Sequence, residues 1–387
     1  MGTASRITFT EESASPARIR VVGVGGGGGN AVSRMIDCGL QGVKFIALNT
    51  DLQALWSNRA LTKVQIGEKA TGGLGAGADP GIGRQAALEA RDRISEALAG
   101  SDMVFITAGL GGGTGTGGAP VVASIAGQLG SDNGKVLTVA VVTLPFRLEG
   151  KRRMDQALEG LAELEKCVDS VIVIPNDRLL ETVPRSTPVY VAFGLADDVL
   201  LQAVQGITDI ITVPGQINVD FADVRTVMRG MGQAVMGIGI GEGPLRALQA
   251  AQRAISNPLL ENSSIEGARG IIVNITGGAD LSLAEASEAT AFITGVAHPE
   301  ANVIYGIVTN DSMGEAVKVT VIATGFERAR KAAPTPAGPT DDERPASPAA
   351  DLDGVRRLPS GRLRDLGVSR FVRRIRADWW GARRESE

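Results

Sequence analysis

Histidine is almost missing from this 387-residue chain: His298, in the polar turn AHPEAN, is the only one. A Ser–His–Asp hydrolase or a multi-histidine metal site has no material to be built from, and a surface role is the expectation for His298. Cysteine is nearly as scarce. Cys38 and Cys167 have no metal-ligand spacing around them, which reads as a reduced, cytoplasmic protein rather than a disulfide scaffold or zinc module. No stretch reaches roughly 18 consecutive apolar residues, so no helical membrane span is expected. The opening MGTASRITFTEESASPARIR has no apolar run of the secretory-signal kind. A basic excess is also lacking. Lys and Arg number 39 against 43 Asp and Glu, a formal charge of −4, which argues against a nucleic-acid partner.

What is present is glycine, 51 residues of it, clustered rather than periodic. The apolar fraction of 43% over this length suffices for two packed domains. From Arg18 onward strands apolar on both faces (RIRVVGV, VKFIALN, DMVFITAG, VLTVAVVTLPF, SVIVIPN) alternate with helical segments (NAVSRMIDCG, GIGRQAALEARDRISEALAG, APVVASIAGQLG, MDQALEGLAELEKCV). That pattern predicts a parallel sheet covered on both sides. PVYVAFGLADDVLLQAVQGITDIIT predicts a long helix, hydrophobic nearly all round and hence buried between layers. Four more strands and two helices follow. The expected fold is α/β: a Rossmann-like N-terminal domain with a parallel sheet, a long central helix, and a second, smaller α/β domain. The expected boundaries are a disordered leader over 1–17, a nucleotide-binding domain over 18–187, the central helix over 188–213, the C-terminal domain over 214–328, a Pro/Ala-rich linker over 329–360 and a basic tail over 361–387.

Two glycine loops carry the chemistry. In VVGVGGGGGN a strand runs into Gly25, Gly26, Gly27, Gly28 and Gly29 and then a helix at Asn30. Glycine lets backbone N–H groups approach a phosphate with no Cβ between them, and the helix start adds orphan donors and a positive dipole end. Gly23, Gly25 and Gly28 also fit G-x-G-x-x-G, with Asp51 closing a strand downstream, so this loop alone is compatible with an NAD-dependent oxidoreductase. The second loop, GLGGGTGTGG over 109–118, moves the reading to a nucleoside triphosphate held from two sides. Thr114 and Thr116 add hydroxyls without bulk. The loop has no lysine and so is not a G-x-x-x-x-G-K-[ST] loop.

GGGTGTG is the signature of the tubulin/FtsZ family. Residues 18–328 resemble the bacterial cell-division members of that family, through VGVGGGGGNAV, ALNTD, GLGAGADP, ITAGLGGGTGTG, FRLEGKRRM, VIPNDRLL, NVDFADVRTVM, SSIEGARGIIVNITGG and VTVIATGF in the expected order. The resemblance implies a GTPase that binds GTP and GDP with Mg2+ held mainly through the phosphates rather than by protein ligands. It also implies head-to-tail polymers and a scaffold role at the division site, on the cytoplasmic side of the membrane. It assigns phosphate contact to Gly26, Gly27, Gly28, Gly29 and Asn30 and to Gly112, Gly113, Thr114, Gly115 and Thr116. Asn49 and Asp51 lie near the nucleotide and its cation. Gly77 belongs to the loop GLGAGADP that senses the terminal phosphate, Glu149 and Arg153 contact the ribose and nucleotide, and Asn176, Phe193 and Asp197 hold guanine. A carboxylate can accept both N–H groups of the guanine edge, which suits Asp197. Phe193, four residues earlier on the same face, either stacks on the base or packs in the core.

The catalytic element implied is NVDFADV, with Asp220 and Asp223 polarising the attacking water in the neighbouring subunit's site and Asn218 assisting. As an isolated pair the two acids would read as an N-cap and a first-turn charge. Three segments depart from the family pattern. SDNGKV over 131–136 reads as an insertion, and PLRALQA over 244–250 replaces a more polar segment. In the tail Val368, Phe371, Val372, Ile375 and Trp379 recur at helical spacing among Arg370, Arg373, Arg374 and Arg376. The tail is a candidate basic amphipathic helix for an anionic membrane or a division-protein groove, or else a disordered basic end. A paralogue that binds GTP without robust turnover remains an alternative.

Overall fold

Ten strands join into one sheet in the computed structural model, which describes residues 17–131, 134–184, 186–213, 215–260 and 265–326. The linker, the basic tail and all but the last residue of the leader lie outside the described residues. In chain order the strands are β1 (Ile19–Val24), β2 (Val43–Asn49), β3 (Thr62–Gln65), β4 (Met103–Gly109), β5 (Gly130–Ser131), β6 (Gly134–Lys135), β7 (Leu137–Leu144), β8 (Ser170–Pro175), β9 (Gly232–Gly241), β10 (Gly270–Gly277), β11 (Asn302–Thr309) and β12 (Val317–Thr324). β5 and β6 pair only with each other, as a short antiparallel ribbon, and residues 132 and 133 of the segment read as an insertion lie outside the described residues.

The large sheet runs β11-β10-β12-β9-β8-β7-β4-β1-β2-β3. From β3 to β8 every pairing is parallel. With the ribbon set aside, that half has the doubly wound order in which the chain reverses direction between β1 and β4. Loops at the carboxyl ends of those two strands therefore flank one crevice. They are the two glycine loops. β12 is antiparallel to both β10 and β9, so the C-terminal half is mixed. The halves meet where β8 pairs with β9, in parallel, over only Ser170–Gly232, Val171–Gln233 and Ile172–Ala234.

Side chains of the parallel strands are buried on both faces, as their unbroken apolar runs require. Val21, Phe105 and Val139 face a layer made by the helices Gly25–Asp37 and Val189–Thr212. Val22, Ile106 and Ala140 face the opposite layer of helices Pro80–Glu89, Arg91–Leu98, Thr114–Gln128 and Lys151–Leu164. The helix Val189–Thr212 buries Leu200, Val204 and Ile207 in a cluster that also holds Ile272 and Ile322 from the C-terminal strands. It is thus shared between the halves. No described helix is long and apolar enough to cross a membrane.

Three sequence expectations need correction, the first being the helix expected from Asn30, which starts at Gly25. The helix expected over 81–100 is two helices, because Ala90 leaves helical geometry at φ −97, ψ 14. Its first part is pinned by glycine contacts to the helix Thr114–Gln128, and its second buries Ile94 and Leu98. Packing here overrides a locally unbroken helical pattern. The helix expected from Ala119 starts five residues earlier, at Thr114, so Pro120 lies inside it rather than in its first turn.

Candidate functional site

The first glycine run is helical throughout, and the second is part loop and part helix. Gly25 takes φ +72 and starts the helix Gly25–Asp37. Gly113 caps the helix that begins at Thr114. The first turns of two helices therefore leave their orphan N–H groups at one crevice. Which glycines must be glycine separates into two kinds. A Cβ on Gly28 would run into the Thr107 carbonyl, and one on Gly27 would sit 3.2 Å from Gly109 Cα, so these positions let the two loops pack together. Gly26 and Gly112 face open space. No packing requires a glycine there, whereas a ligand lying against the backbone would.

Hydroxyls and an amide brace the cradle. Thr116 Oγ1 accepts from Gly111 N at 2.8 Å, closing the second loop on itself. Thr114 Oγ1 lies 2.7 Å from Thr50 Oγ1, tying that helix start to the end of β2. Asn58 Nδ2 donates to the Gly29 carbonyl at 2.7 Å, holding the first glycine helix from behind. Thr50 and Asn58 carry no motif that sequence reading could use, since their partners lie 64 and 29 residues away.

The acidic side chains at the cradle are committed. Asp51 Oδ1 caps the helix Leu52–Ser57, accepting from Gln53 N at 2.8 Å and Ala54 N at 3.2 Å. Asn49, buried, accepts from Asp51 N through its Oδ1. Asp79 Oδ1 caps the helix Pro80–Glu89 through Gly81 N at 2.7 Å. Glu149 accepts from Phe146 N at 2.9 Å and pairs with Arg153 at 2.6 Å. The loop over 73–80 is tied to the residue after Asp51, with Leu52 N donating to Gly73 O at 3.1 Å, and it holds Gly77 at φ +58 and Ala78 at φ +59. Ala78 is the only described non-glycine residue in the left-handed region, a strained position for an L side chain.

At the other side of the crevice the Phe193 ring is 42% exposed and meets buried Phe146 edge-on, centroids 5.1 Å apart. It is anchored rather than absorbed into the core. Asn176 is buried with its Oδ1 lacking any hydrogen-bond partner among the described residues. An unmet buried acceptor is costly unless a ligand supplies the donor. Asp197, on the same helix as Phe193, is pushed up to about 7, first by burial and then by the adjacent Asp198 carboxylate, with Arg34 opposing them.

Asp220 and Asp223 lie elsewhere. The helix Val189–Thr212 leads away from Asp197, and its 24 residues span about 36 Å. The segment that follows is fixed to it by Val219 N to Ile210 O at 3.3 Å, and to β11 by Ile307 N to Ile217 O at 3.1 Å. Asn218 Oδ1 accepts from Gly215 N at 2.7 Å, closing that loop. Asp220 stands at the N-cap of the helix Phe221–Met228, yet its side chain makes no capping bond. Asp220 and Asp223 are both exposed. The N-cap role that their spacing suggested is not taken up.

The Tubulin/FtsZ family GTPase domain matches residues 18–184, and the FtsZ family C-terminal domain matches residues 232–327. Among solved structures, the empty FtsZ dimer of M. jannaschii is 46% identical, with 81% of this chain and 89% of that one covered and a TM-score of 0.77. A point variant of FtsZ from M. jannaschii is 47% identical over 80% and 92%, TM-score 0.76. CetZ2 from Haloferax volcanii, as a GTPγS-bound protofilament, is 23% identical over 81% and 94% with a TM-score of 0.68, a likeness of fold.

Proposed function

The chain belongs to the tubulin/FtsZ family and is a GTPase, and from that premise we propose that it polymerises head to tail, with each active site completed by the next subunit. The observation that carries this reading is the split between the crevice and the free acids. The acidic groups around the glycine loops serve as caps or pair with arginine. Two exposed carboxylates with no cap or arginine partner among the described residues, Asp220 and Asp223, stand past the end of the central helix. A cradle without a base and a base without a cradle are complementary surfaces of two copies. Such a heterologous contact does not close on itself, so it propagates as a filament.

In this assignment Gly26, Gly27, Gly28, Gly29, Asn30, Gly112, Gly113, Thr114, Gly115 and Thr116 hold the phosphates through backbone donors and helix dipoles. Gly77 lies at the terminal phosphate. Glu149 and Arg153 meet the ribose side. Phe193 stacks on the base, Asp197 accepts from the guanine N1–H and N2–H2, and Asn176 Oδ1 takes a further donor. Asp51 keeps its Oδ2 for a water in the shell of Mg2+, which would be held chiefly by phosphate oxygens. Where bound, the cation would supply charge neutralisation at the phosphates. The incoming Asp220 and Asp223, steadied by Asn218, orient the attacking water, and positioning with charge stabilisation carries most of phosphoryl transfer. The division of the chain into residues 18–187, 188–213 and 214–328 follows the same roles: binding, linkage and catalysis. The cellular role that fits is the ring scaffold at the bacterial division site, on the cytoplasmic side of the membrane. Residues 361–387 would meet a membrane surface or a division partner.

Complementation tests the split. Asp223→Ala should bind GTP within about threefold of wild type and lose about 100-fold or more in turnover. Gly112→Val should lose GTP binding. Mixed together, the two should recover turnover, because one copy keeps the cradle and the other the acids. A mixture as inactive as its parts, in filaments seen by light scattering, would sink the in-trans site.

A further inference from the structure

Arg34 and Asp198 join the two helices that the nucleotide would touch. Arg34 lies on the helix Gly25–Asp37, whose first turn forms half the cradle, and Asp198 lies on the central helix. Nε and Oδ1 are 2.6 Å apart, with the side chains 31% and 15% exposed. Consecutive helical residues project about 100° apart. Asp198 therefore reaches the first helix, while Asp197 is left on Phe193's side with no hydrogen bond holding its oxygens.

The electrostatics of Asp197 depend on that pair. Burial and the neighbouring Asp198 anion both favour its protonated form, and the Arg34 cation favours the charged form. The other groups close to Arg34 do little to change this balance. Asp37 is paired with Arg59 at 2.8 Å, and burial pushes the Cys38 thiol up, leaving it neutral near pH 7. A protonated carboxyl offers the guanine edge one acceptor where two N–H groups need partners.

We propose that Arg34 is a positioning residue for base recognition: by neutralising Asp198 it keeps a substantial share of Asp197 ionised and free to read guanine near neutral pH. This rests on Asp197 being the guanine reader. Arg34 touches neither base nor phosphate. It acts through the charge balance of two adjacent carboxylates, and it couples the helix under the phosphates to the helix beside the base.

The test is GTP affinity of the full chain measured across about pH 5.5 to 9 with a fluorescent analogue. In wild type, affinity should fall about tenfold per pH unit below the Asp197 midpoint. In Arg34→Met the midpoint should rise by about one unit, costing about fivefold at pH 7 and nothing at the alkaline end. Arg34→Lys should keep the wild-type midpoint. The double variant Arg34→Met/Asp198→Asn should return to it, because the repelling anion is removed with its partner. An affinity loss equal at every pH, uncorrected in the double variant, would overturn the proposal by making Arg34 a mere brace.

Asp197→Asn tests the premise separately. It should lose GTP, lose the pH dependence and gain xanthosine triphosphate, whose 2-oxo group accepts from the carboxamide. Unchanged GTP binding in Asp197→Asn would remove the reading of Asp197 itself. The expected Asp197→Asn result with an unshifted Arg34→Met midpoint would remove only the role of Arg34.

Discussion

Glycine does opposite work in the two halves of the sheet. In the parallel half, Gly26 and Gly112 face open space at the mouth of the crevice. In the mixed half, a Cβ on Gly237, Gly239 or Gly241 of β9 would strike the carbonyls of Ala254, Ala250 or Arg246. Those glycines let the helix Arg246–Ile255 lie directly on the sheet. The open glycines of the parallel half leave space over the backbone, whereas those of β9 exclude everything, water included. The surrounding polar groups differ in the same way. Those around the crevice include an unmet Asn176 oxygen, whereas Arg246 is saturated, reaching Asp280 at 2.6 Å, Glu285 at 2.8 Å and the Glu315 carbonyl at 2.9 Å. The lesson is that abundance of a residue says little about its role until what lies over each Cα is known.

Gly239→Val should cost about 3 kcal/mol by overpacking against the helix backbone, read as a large drop in the denaturant midpoint, with GTP affinity in the surviving folded fraction unchanged. Gly112→Val should do the reverse, lowering GTP affinity about tenfold or more while leaving the empty protein's unfolding midpoint within about 0.5 kcal/mol. If Gly112→Val unfolded the protein and Gly239→Val spared it, the two roles would have been assigned the wrong way round.

An acid titration sharpens the same contrast. The Arg246 guanidinium first, helped by Ser282, holds Glu285 down at about 2 from an ordinary 4.5. A depressed carboxylate adds stability that is complete above its unfolded value, so this contribution is present above about pH 4.5 and lost as pH falls towards 2. Unfolding midpoints of wild type should decline across that window, and Glu285→Gln should flatten the decline by about 1 kcal/mol. The smallest expected effect is at Ala78. Replacing it by glycine relieves the left-handed strain and should stabilise the chain by about 0.5 kcal/mol, net of the added unfolded-state entropy. A destabilised Ala78→Gly would mean that its methyl group makes a contact worth more than the strain.

Strand positions were legible because residues buried on both faces form unbroken apolar runs, as in VKFIALN and DMVFITAG, which few other environments produce. The crevice was legible because each glycine stretch joins a strand end to a helix start. Helix boundaries were not. Gly25 and Thr114 start helices that propensity alone would begin at Asn30 and Ala119, since glycine is a poor helix former and only packed, capped context makes it helical. The break at Ala90 comes from packing across the interface with the helix Thr114–Gln128, and no local residue announces it. Thr50, Asn58 and the Arg34–Asp198 pair act over 64, 29 and 164 residues, and a periodicity or motif scan has no access to contacts of that span. For Asp220 the spacing suggested capping, and the structure leaves the carboxylate free.

The junction between the halves has a mechanical side. Three residue pairs join β8 to β9, beside one 24-residue helix shared between the halves. If subunits stack with the crevice at one end and the acids at the other, tension along the filament crosses each molecule through these two links in parallel. The helix resists stretching along its axis, while a seam of three rungs yields to shear far sooner than the six or seven rungs of its neighbours. Each subunit would then be a stiff rod with a soft lateral stitch. A loaded polymer of such units would give by skewing its halves rather than by parting its ends.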